Sequence, residues 1–401
     1  MEFFLALFLA WPQWGGPSRD FHAADQALEL RFPKGGPRQL WKRELGDGYS
    51  AVVTDGGAAL YTAFRRGNDN VVVALDSKSG ATIWERALAA PPLPNMFLDY
   101  GQGPIVTPLL VGQRLFVVTF TGQLAALDRK TGAVAWSREL WKEFAGTFRD
   151  VGYANSPIAY GDTILLPIGG KGKGVAAFRQ ADGKVVWQST DLENAMSSPI
   201  VIRVDGEEHA VFFMVDAVAG VDPKTGRLLW RHPHSTSYHV NASTPVWCPE
   251  ERMLVISSAY NAGGRGIRLE RVGGRIEPKE AWFQRRLRVH HHNLLRRGAH
   301  VYGSSGDFGP APLTAVNVTT GEVAWQSRHF PKASLVQVGS KTLVLDEDGR
   351  LALARLSPKG LEVLEEAAVL EKLAWTAPSV VGTRVYARDR KSLVALELEK
   401  N

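Results

Sequence analysis

The sequence predicts an all-β fold, an eight-bladed β-propeller of four-stranded antiparallel blades, and three observations carry that expectation. A unit of the form A-L-D-x-x-x-G-x-x-x-W recurs along the 401 residues. Its copies are spaced 39 to 52 residues apart, the size of one four-stranded blade. A Trp-bearing segment, Arg38-Gln39-Leu40-Trp41-Lys42-Arg43, has no A-L-D partner before it, whereas the last copy, Val394-Ala395-Leu396, meets Asn401 before its Trp position. Pairing these two ends would complete one blade and leave no open edge.

The copies follow in order. The clearest are Ala74-Leu75-Asp76 with Gly80 and Trp84, and Ala126-Leu127-Asp128 with Gly132 and Trp136. Looser ones are Ala177-Phe178 with Gly183 and Trp187, Gly220-Val221-Asp222 with Gly226 and Trp230, and Ala315-Val316-Asn317 with Gly321 and Trp325. Two worn copies complete the series: Leu269 to Trp282, with Gly273-Gly274 at the turn, and Ala354-Arg355-Leu356 with Gly360 and Leu364. Each reads as an outer hairpin. An apolar run such as Val71–Leu75 ends in a turn whose Asp accepts backbone N–H groups and whose Gly takes positive φ, and an alternating strand returns with Trp.

Composition agrees with a β protein: 12 Trp, of which seven fall on the repeat position, with 40 Gly and 22 Pro. A net charge of +6 arises from 47 basic and 41 acidic residues spread along the chain. Arg285-Arg286-Leu287-Arg288 and Arg296-Arg297 therefore read as solvated loops, and no nucleic-acid partner is expected. Cys248 is the single cysteine, which leaves neither a disulfide framework nor a Cys-based metal site. Residues 1–10 resemble the apolar part of an atypical or clipped export signal, lacking a basic start and too short to span a bilayer, the alternative being an N-terminal strand packed against the ring. The expected organisation is an atypical or clipped signal segment at 1–10, a lead at 11–37 and one propeller domain at 38–401, monomeric, without a transmembrane span, and periplasmic or otherwise exported.

Asp128-Arg129-Lys130-Thr131-Gly132 and Asp222-Pro223-Lys224-Thr225-Gly226 resemble the A-x-D-x-x-T-G-x-x-x-W repeat of the pyrroloquinoline-quinone (PQQ) type β-propellers. Trp11-Pro12-Gln13-Trp14-Gly15-Gly16-Pro17 is similar to the lead that opens many exported members. The resemblance covers residues 11–401 and implies the fold, whereas function varies within the family. One branch holds quinoprotein dehydrogenases, which oxidise alcohols or sugars with PQQ and Ca²⁺. Another holds BamB-like proteins, non-enzymatic scaffolds of outer-membrane assembly. The dehydrogenase branch is known for a disulfide between adjacent cysteines, which a chain with Cys248 alone lacks. No lipobox Cys stands near the start, a departure from the BamB pattern.

In such a propeller the loops entering the innermost strands and those joining second to third strands share one face. The innermost strands align at Tyr49-Ser50-Ala51, Val106-Thr107-Pro108, Asn155-Ser156-Pro157, Ser197-Ser198-Pro199, Ser243-Thr244-Pro245, His292-Asn293-Leu294, Ala333-Ser334-Leu335 and Thr376-Ala377-Pro378. Two entering loops are long, Leu88 to Gly103 and Leu140 to Tyr153, and carry Asp99, Tyr100, Asp150 and Tyr153. The second-to-third loops add Arg65, Arg66, Tyr260, Asn261 and Ser304 to Asp307. The expected ligand-binding residues are Tyr100, Tyr153, Asn155, Ser197, His239, Asn241, Ser243, His290, His292, Asn293 and Asp307.

His290 and His292 would share a face of a strand, yet two imidazoles do not make a metal site, and none is expected. The sequence shows no G-x-S-x-G elbow, no Walker loop and no H-E-x-x-H, and Gly169 to Gly174 reads as a strand-connecting loop. Two functions remain. The first is an exported, non-enzymatic propeller that binds a protein, glycan or small molecule at its mouth, with no cofactor. The alternative is a PQQ- and Ca²⁺-dependent alcohol or sugar dehydrogenase in which Asp307 or Asp150 is the base.

Overall fold

The computed structural model describes residues 10–147, 150–260, 262–307, 309 and 311–401. Nine residues of the expected signal segment and the loop residue Asn261 lie outside that set. Seven four-stranded antiparallel sheets and one three-stranded sheet follow in chain order, with one short helix, Leu140–Phe144, among the described residues. In the three-stranded sheet (Ala59–Arg66, Asp69–Asp76, Thr82–Ala89) the inner position is taken by the segment at Val53, which bridges Tyr61. The fold class is that of an eight-bladed β-propeller, as the repeat predicts.

We number the blades by their inner strands. Blade one is the sheet just given. Blades two to seven begin at Leu109, Ile158, Ile200, Val246, Leu295 and Ser334. Blade eight combines Ser379–Val381, Arg384–Arg388 and Ser392–Glu397 with Arg38–Glu44 from the other end of the chain. Its outer pair places Trp41 opposite Ala395, the closure expected from the orphan Trp segment.

Two compact units divide the blades. The first holds residues up to Trp136 together with 150–156 and 330–401, hence blades one, seven, eight and two as far as Trp136. The second holds 137–149 and 157–329, hence blades three to six.

Within each unit the core lies between neighbouring blades, because alternate residues of a strand point to opposite faces. In blade one, Val71, Val73 and Leu75 pack with Tyr386, Leu393 and Ala395 of blade eight. Val72 and Ala74, between them, pack with Leu115, Val117 and Leu127 of blade two. The middle strand is thus apolar on both sides, which explains the unbroken run Val71–Leu75. The second unit repeats the arrangement, with Leu165, Val175 and Ala177 set against Phe212, Ala217 and Ala219.

The repeat letters lock the same blades together. Asp76 Oδ1 accepts the N–H groups of Lys78 and Ser79 and the Ser79 hydroxyl, and Asp128 does the same with Lys130 and Thr131. Gly132 then sits at φ +68° against the ring of Trp84 from the preceding blade, where a Cβ would come within 2.5 Å of the indole. Trp84 Nε1 donates to Arg129 O at 3.0 Å. Trp41 with Gly80, Trp187 with Gly226 and Trp282 with Gly321 repeat this seat, each indole N–H bonded to a carbonyl of the turn. Trp230 differs: the turn after it is the worn Gly273-Gly274 copy, and its N–H goes to His209 Nδ1 at 2.9 Å.

The lead is threaded into the first unit. Trp11 is bridged to Thr54, Pro12 O accepts the N–H of Leu110, Arg19 donates to Ser156 O, and Phe21 and Ala23 exchange bonds with Gln337. Burial lowers the Arg19 guanidinium to about 9. Leu30–Arg31 finally pairs with Glu399–Lys400.

Candidate functional site

In the first unit the long loop between Ala89 and Pro104 is fixed at its base and open at its crown. Arg65 Nη1 donates to Ala90 O and Gln102 O, and Asp47 Oδ2 accepts the Gln102 N–H at 2.8 Å. Arg390 clamps Asp47 through Nε at 2.5 Å and Nη2 at 3.1 Å. Burial alone would raise the Asp47 carboxyl, but the Arg390 and Gln102 bonds outweigh it and hold the group below its ordinary range. At Gly103 a Cβ would lie 2.1 Å from Asp47 O, so only glycine lets the loop return this close to the chain.

On this base stands a row of aromatic rings. Phe97 meets Tyr100 at 5.9 Å between centroids, Tyr100 meets Trp375 at 5.5 Å, and Trp375 stacks on Tyr49 at 5.7 Å and 21°. Phe97 and Tyr100 are 46% and 50% exposed, whereas Trp41, Trp187, Trp230 and Trp282 of the repeat are at 8% or less. Tyr49 O–H donates to Tyr100 O at 2.6 Å, and burial pushes the phenol up to about 12, which keeps that donor protonated. Trp375 Nε1 donates to Glu347 Oε2 at 3.2 Å, while Lys332 pairs with the same oxygen at 3.4 Å and lies over the indole.

Of the expected residues in this unit, Tyr100 belongs to the row. Asp150 is exposed and bonded to the loop through its carbonyl, which accepts the Phe97 N–H. Tyr153 is buried, with its phenol raised well above its ordinary value by burial. Asn155 is fully buried. The small polar residues beside it clasp neighbouring blades: Thr376 Oγ1 donates to Tyr49 O, Thr107 Oγ1 accepts the Ala51 N–H, and Ser156 Oγ accepts the Thr107 N–H.

The second unit gathers a different cluster. Tyr260, at φ +53°, gives its N–H to Asp307 Oδ2 at 3.1 Å and its hydroxyl lies 3.1 Å from His290 Nε2. Tyr238, 66% exposed, packs edge-on to Tyr260 at 4.7 Å, and His290, His291 and His292 continue the series. His239 is exposed, at φ +58°. His292 and Asn293 are buried, and Ser197 Oγ donates to Ser243 O, both residues buried.

Asn241 ends a directed chain of bonds. Glu280 accepts from Arg265 Nε, and Arg265 Nη1 lies 2.7 Å from His234 Nδ1. A guanidinium only donates, so Nδ1 accepts, and the proton of the neutral ring sits on Nε2, 3.1 Å from Ser258 Oγ. The Ser258 hydroxyl accordingly gives its own proton to Asn241 Oδ1 at 2.6 Å, and Asn241 Nδ2 donates to Met214 O and Val215 O. This Ser–His pair runs opposite to an activated nucleophile, whose hydroxyl gives its proton to the imidazole. Burial and the Arg265 charge lower His234 to about 3.

Sequence reading missed Trp375, Tyr49 as a ring partner, Lys332, Glu347 and the His234–Arg265 pair. A signal existed for Trp375, one of the tryptophans that stand off the repeat register.

A family model described as outer membrane protein assembly factor BamB matches residues 68–327. The chain is similar to BamB of Yersinia pestis, at 25% identity over 55% of this chain and 55% of that protein, so it spans about half the length of this curated relative. Among solved structures it is similar to BamB from Moraxella catarrhalis (TM-score 0.62, 19% identity, 90% of this chain and 99% of that one). It is also similar to a quinohemoprotein alcohol dehydrogenase from Comamonas testosteroni (TM-score 0.63, 12% identity, 99% and 82%). At these identities the structural likenesses establish the fold.

Proposed function

The chain belongs to the family of the outer membrane protein assembly factor BamB, and from that premise we propose that it is an exported, non-enzymatic propeller that binds a partner through its mouth loops. In this reading residues 1–10 are an export signal, 11–37 a lead and 38–401 one propeller domain working in the periplasm. The observation that carries it is the loop crown with Leu93, Phe97 and Tyr100 exposed on a base fixed by Arg65, Asp47 and Arg390. Exposed apolar side chains on a rigid scaffold cost little ordering on association and recover their burial. Of the expected residues, Tyr100 in the first unit and His239, His290 and Asp307 in the second then belong to the binding loops of their own unit, and the buried Asn155, Ser197, Asn241, Ser243, His292 and Asn293 support the unit in which each lies. Among the described residues, no helix is long and apolar enough to cross a membrane.

The quinoprotein alternative needs Ca²⁺ held by converging oxygen ligands beside the quinone. Among the described residues no three His, Cys, Asp or Glu side chains converge as a ready set of such ligands. Asp307, a candidate base, is engaged on the Tyr260 N–H.

A photo-crosslinking residue placed in turn at positions 100, 238 and 83 tests the proposal in cells. Discrete adducts at 100 or 238, with none at Ile83 on an exposed outer strand, support the mouth as the binding face. Adducts at 83 alone would move the face elsewhere. In parallel, a rise in melting temperature with PQQ and Ca²⁺ would favour the alternative, since a ligand that binds the native state must stabilise it.

A further inference from the structure

Resting on the reading of the mouth as the binding face, we propose that Arg65 and Asn70, at the base of the long loop of blade one, form a subsite for a carboxylate group of the ligand. The two residues are Cα partners across the strands Ala59–Arg66 and Asp69–Asp76, so their side chains rise from one face of the sheet. Both are buried, at 7% and 2% exposure. That face looks toward blade two, because Asn70 Oδ1 accepts the Phe120 N–H at 2.7 Å.

The pair holds three buried donors left over from folding. Arg65 spends Nη1 on Ala90 O and Gln102 O, whereas its Nε and Nη2 have no partner among the described residues. A backbone N–H only donates, so the Phe120 bond fixes which end of the Asn70 amide is oxygen, and Asn70 Nδ2 is the third donor without a partner. Such orphans are rare in a folded interior, since each has lost its hydration for nothing. An acceptor brought by a ligand would satisfy all three.

Charge and shape select the acceptor. Asp47 has its oxygens engaged by Arg390 and Gln102, so it and Asp69 act on Arg65 only from a distance, while burial lowers the guanidinium from its ordinary value. A water molecule or a neutral carbonyl would satisfy the donors and leave a buried cation uncompensated. A phosphate, near −2 at neutral pH, would replace one unbalanced charge by another. A single carboxylate balances it. Nε and Nη2 lie on one side of the planar guanidinium, the fork that takes both oxygens of a carboxylate. The chain uses that same side twice elsewhere, in Arg390 on Asp47 and Arg179 on Asp182.

Entry is past the loop whose two ends Arg65 itself holds. Between those ends the backbone is lightly bonded: the Phe97 N–H goes to Asp150 O and the Gly101 N–H to Leu98 O. A segment with so few bonds opens locally at little cost.

The test measures the melting temperature of the full chain in acetate and in chloride at equal ionic strength, for the parent, Asn70→Asp and Arg65→Lys. Comparing proteins in one salt cancels the general effect of each anion on stability. Asn70→Asp keeps the acceptor for the Phe120 N–H and sets a second oxygen before the fork. It is expected to melt above the parent in chloride and to lose the parent's extra rise in acetate. Arg65→Lys keeps the charge without the fork, and the extra rise falls to about a third or less. A fluorescent, capped Gly-Gly-Asp-Gly-Gly peptide and its Asn counterpart separate the sources. An Asp peptide bound about tenfold tighter than the Asn one, a preference abolished by Asn70→Asp, assigns the subsite to an acidic side chain of a protein partner. An acetate response without peptide preference assigns it to a free small carboxylate. Parent and Asn70→Asp alike in both arms, or Asn70→Asp less stable than the parent, would overturn the subsite. Cross-linked adducts at position 100 in that event leave the broader reading of the mouth standing.

Discussion

The tryptophans of the outer strands and the aromatic row of the mouth set the same kind of side chain in opposite surroundings. Trp84, Trp187 and Trp282 give their indole N–H to the next blade's turn and press a face on its glycine. Phe97 and Tyr100 stand half exposed on a loop fixed beneath them. The contrast teaches that aromatic content alone says nothing about function here. What separates the two sets is whether the ring is closed by a neighbouring blade, and the open row is the one proposed for binding.

The sharpest way to break the first half of the comparison is Trp187→Ala, expected to cost about 3–5 kcal/mol in denaturant unfolding, the usual loss for a buried aromatic. Gly226→Ala attacks the same seat from below. Its φ of +75° and a Cβ 2.4 Å from the Trp187 ring combine backbone strain with overpacking, for an expected loss of about 2–4 kcal/mol.

Next in size is a pH effect confined to the buried histidines of blade four. His209, His232 and His234 are all lowered from 6.5, chiefly by burial, and His234 to about 3. They are neutral when folded, whereas the unfolded chain takes up protons below 6.5, so stability is complete above that pH and is lost as pH falls toward 3. For His234 alone the loss at pH 5 is about 2 kcal/mol. In His234→Gln, which can still accept from Arg265 and donate to Ser258, melting temperature should fall less steeply between pH 6.5 and 5. An unchanged slope would remove His234 from the account. The smallest effect belongs to the mouth: Tyr100→Ala should change folding stability by less than about 0.5 kcal/mol.

The sequence made the construction legible because each letter of the repeat answers a local demand. Asp closes a turn on nearby N–H groups, Gly supplies a positive φ, and Trp reaches a neighbour one blade on. The pairing of Trp41 with Ala395 followed from one copy lacking its beginning and another its end. The mouth was legible only in part. Loop length pointed to Tyr100, but its partner Trp375 stands 275 residues along the chain, and no local pattern links them. The small polar residues that precede the inner strands read as lining, while Thr107, Ser156, Ser197 and Thr376 make clasps between adjacent blades. A hydroxyl facing a neighbouring strand and one facing a ligand look alike in sequence. The direction of the His234–Ser258–Asn241 chain was hidden for a related reason: it depends on Arg265, whose only available role is donor.

The central claim is that the mouth aromatics serve binding and the repeat aromatics serve folding. Its most direct test is to measure melting temperature and cross-linking yield together on the Phe97→Ala/Tyr100→Ala double variant, with the cross-linker at position 93 of the same loop. The account predicts a melting temperature within about 2 °C of the parent and loss of the adduct. A large drop in melting temperature, or an adduct of undiminished yield, would contradict it.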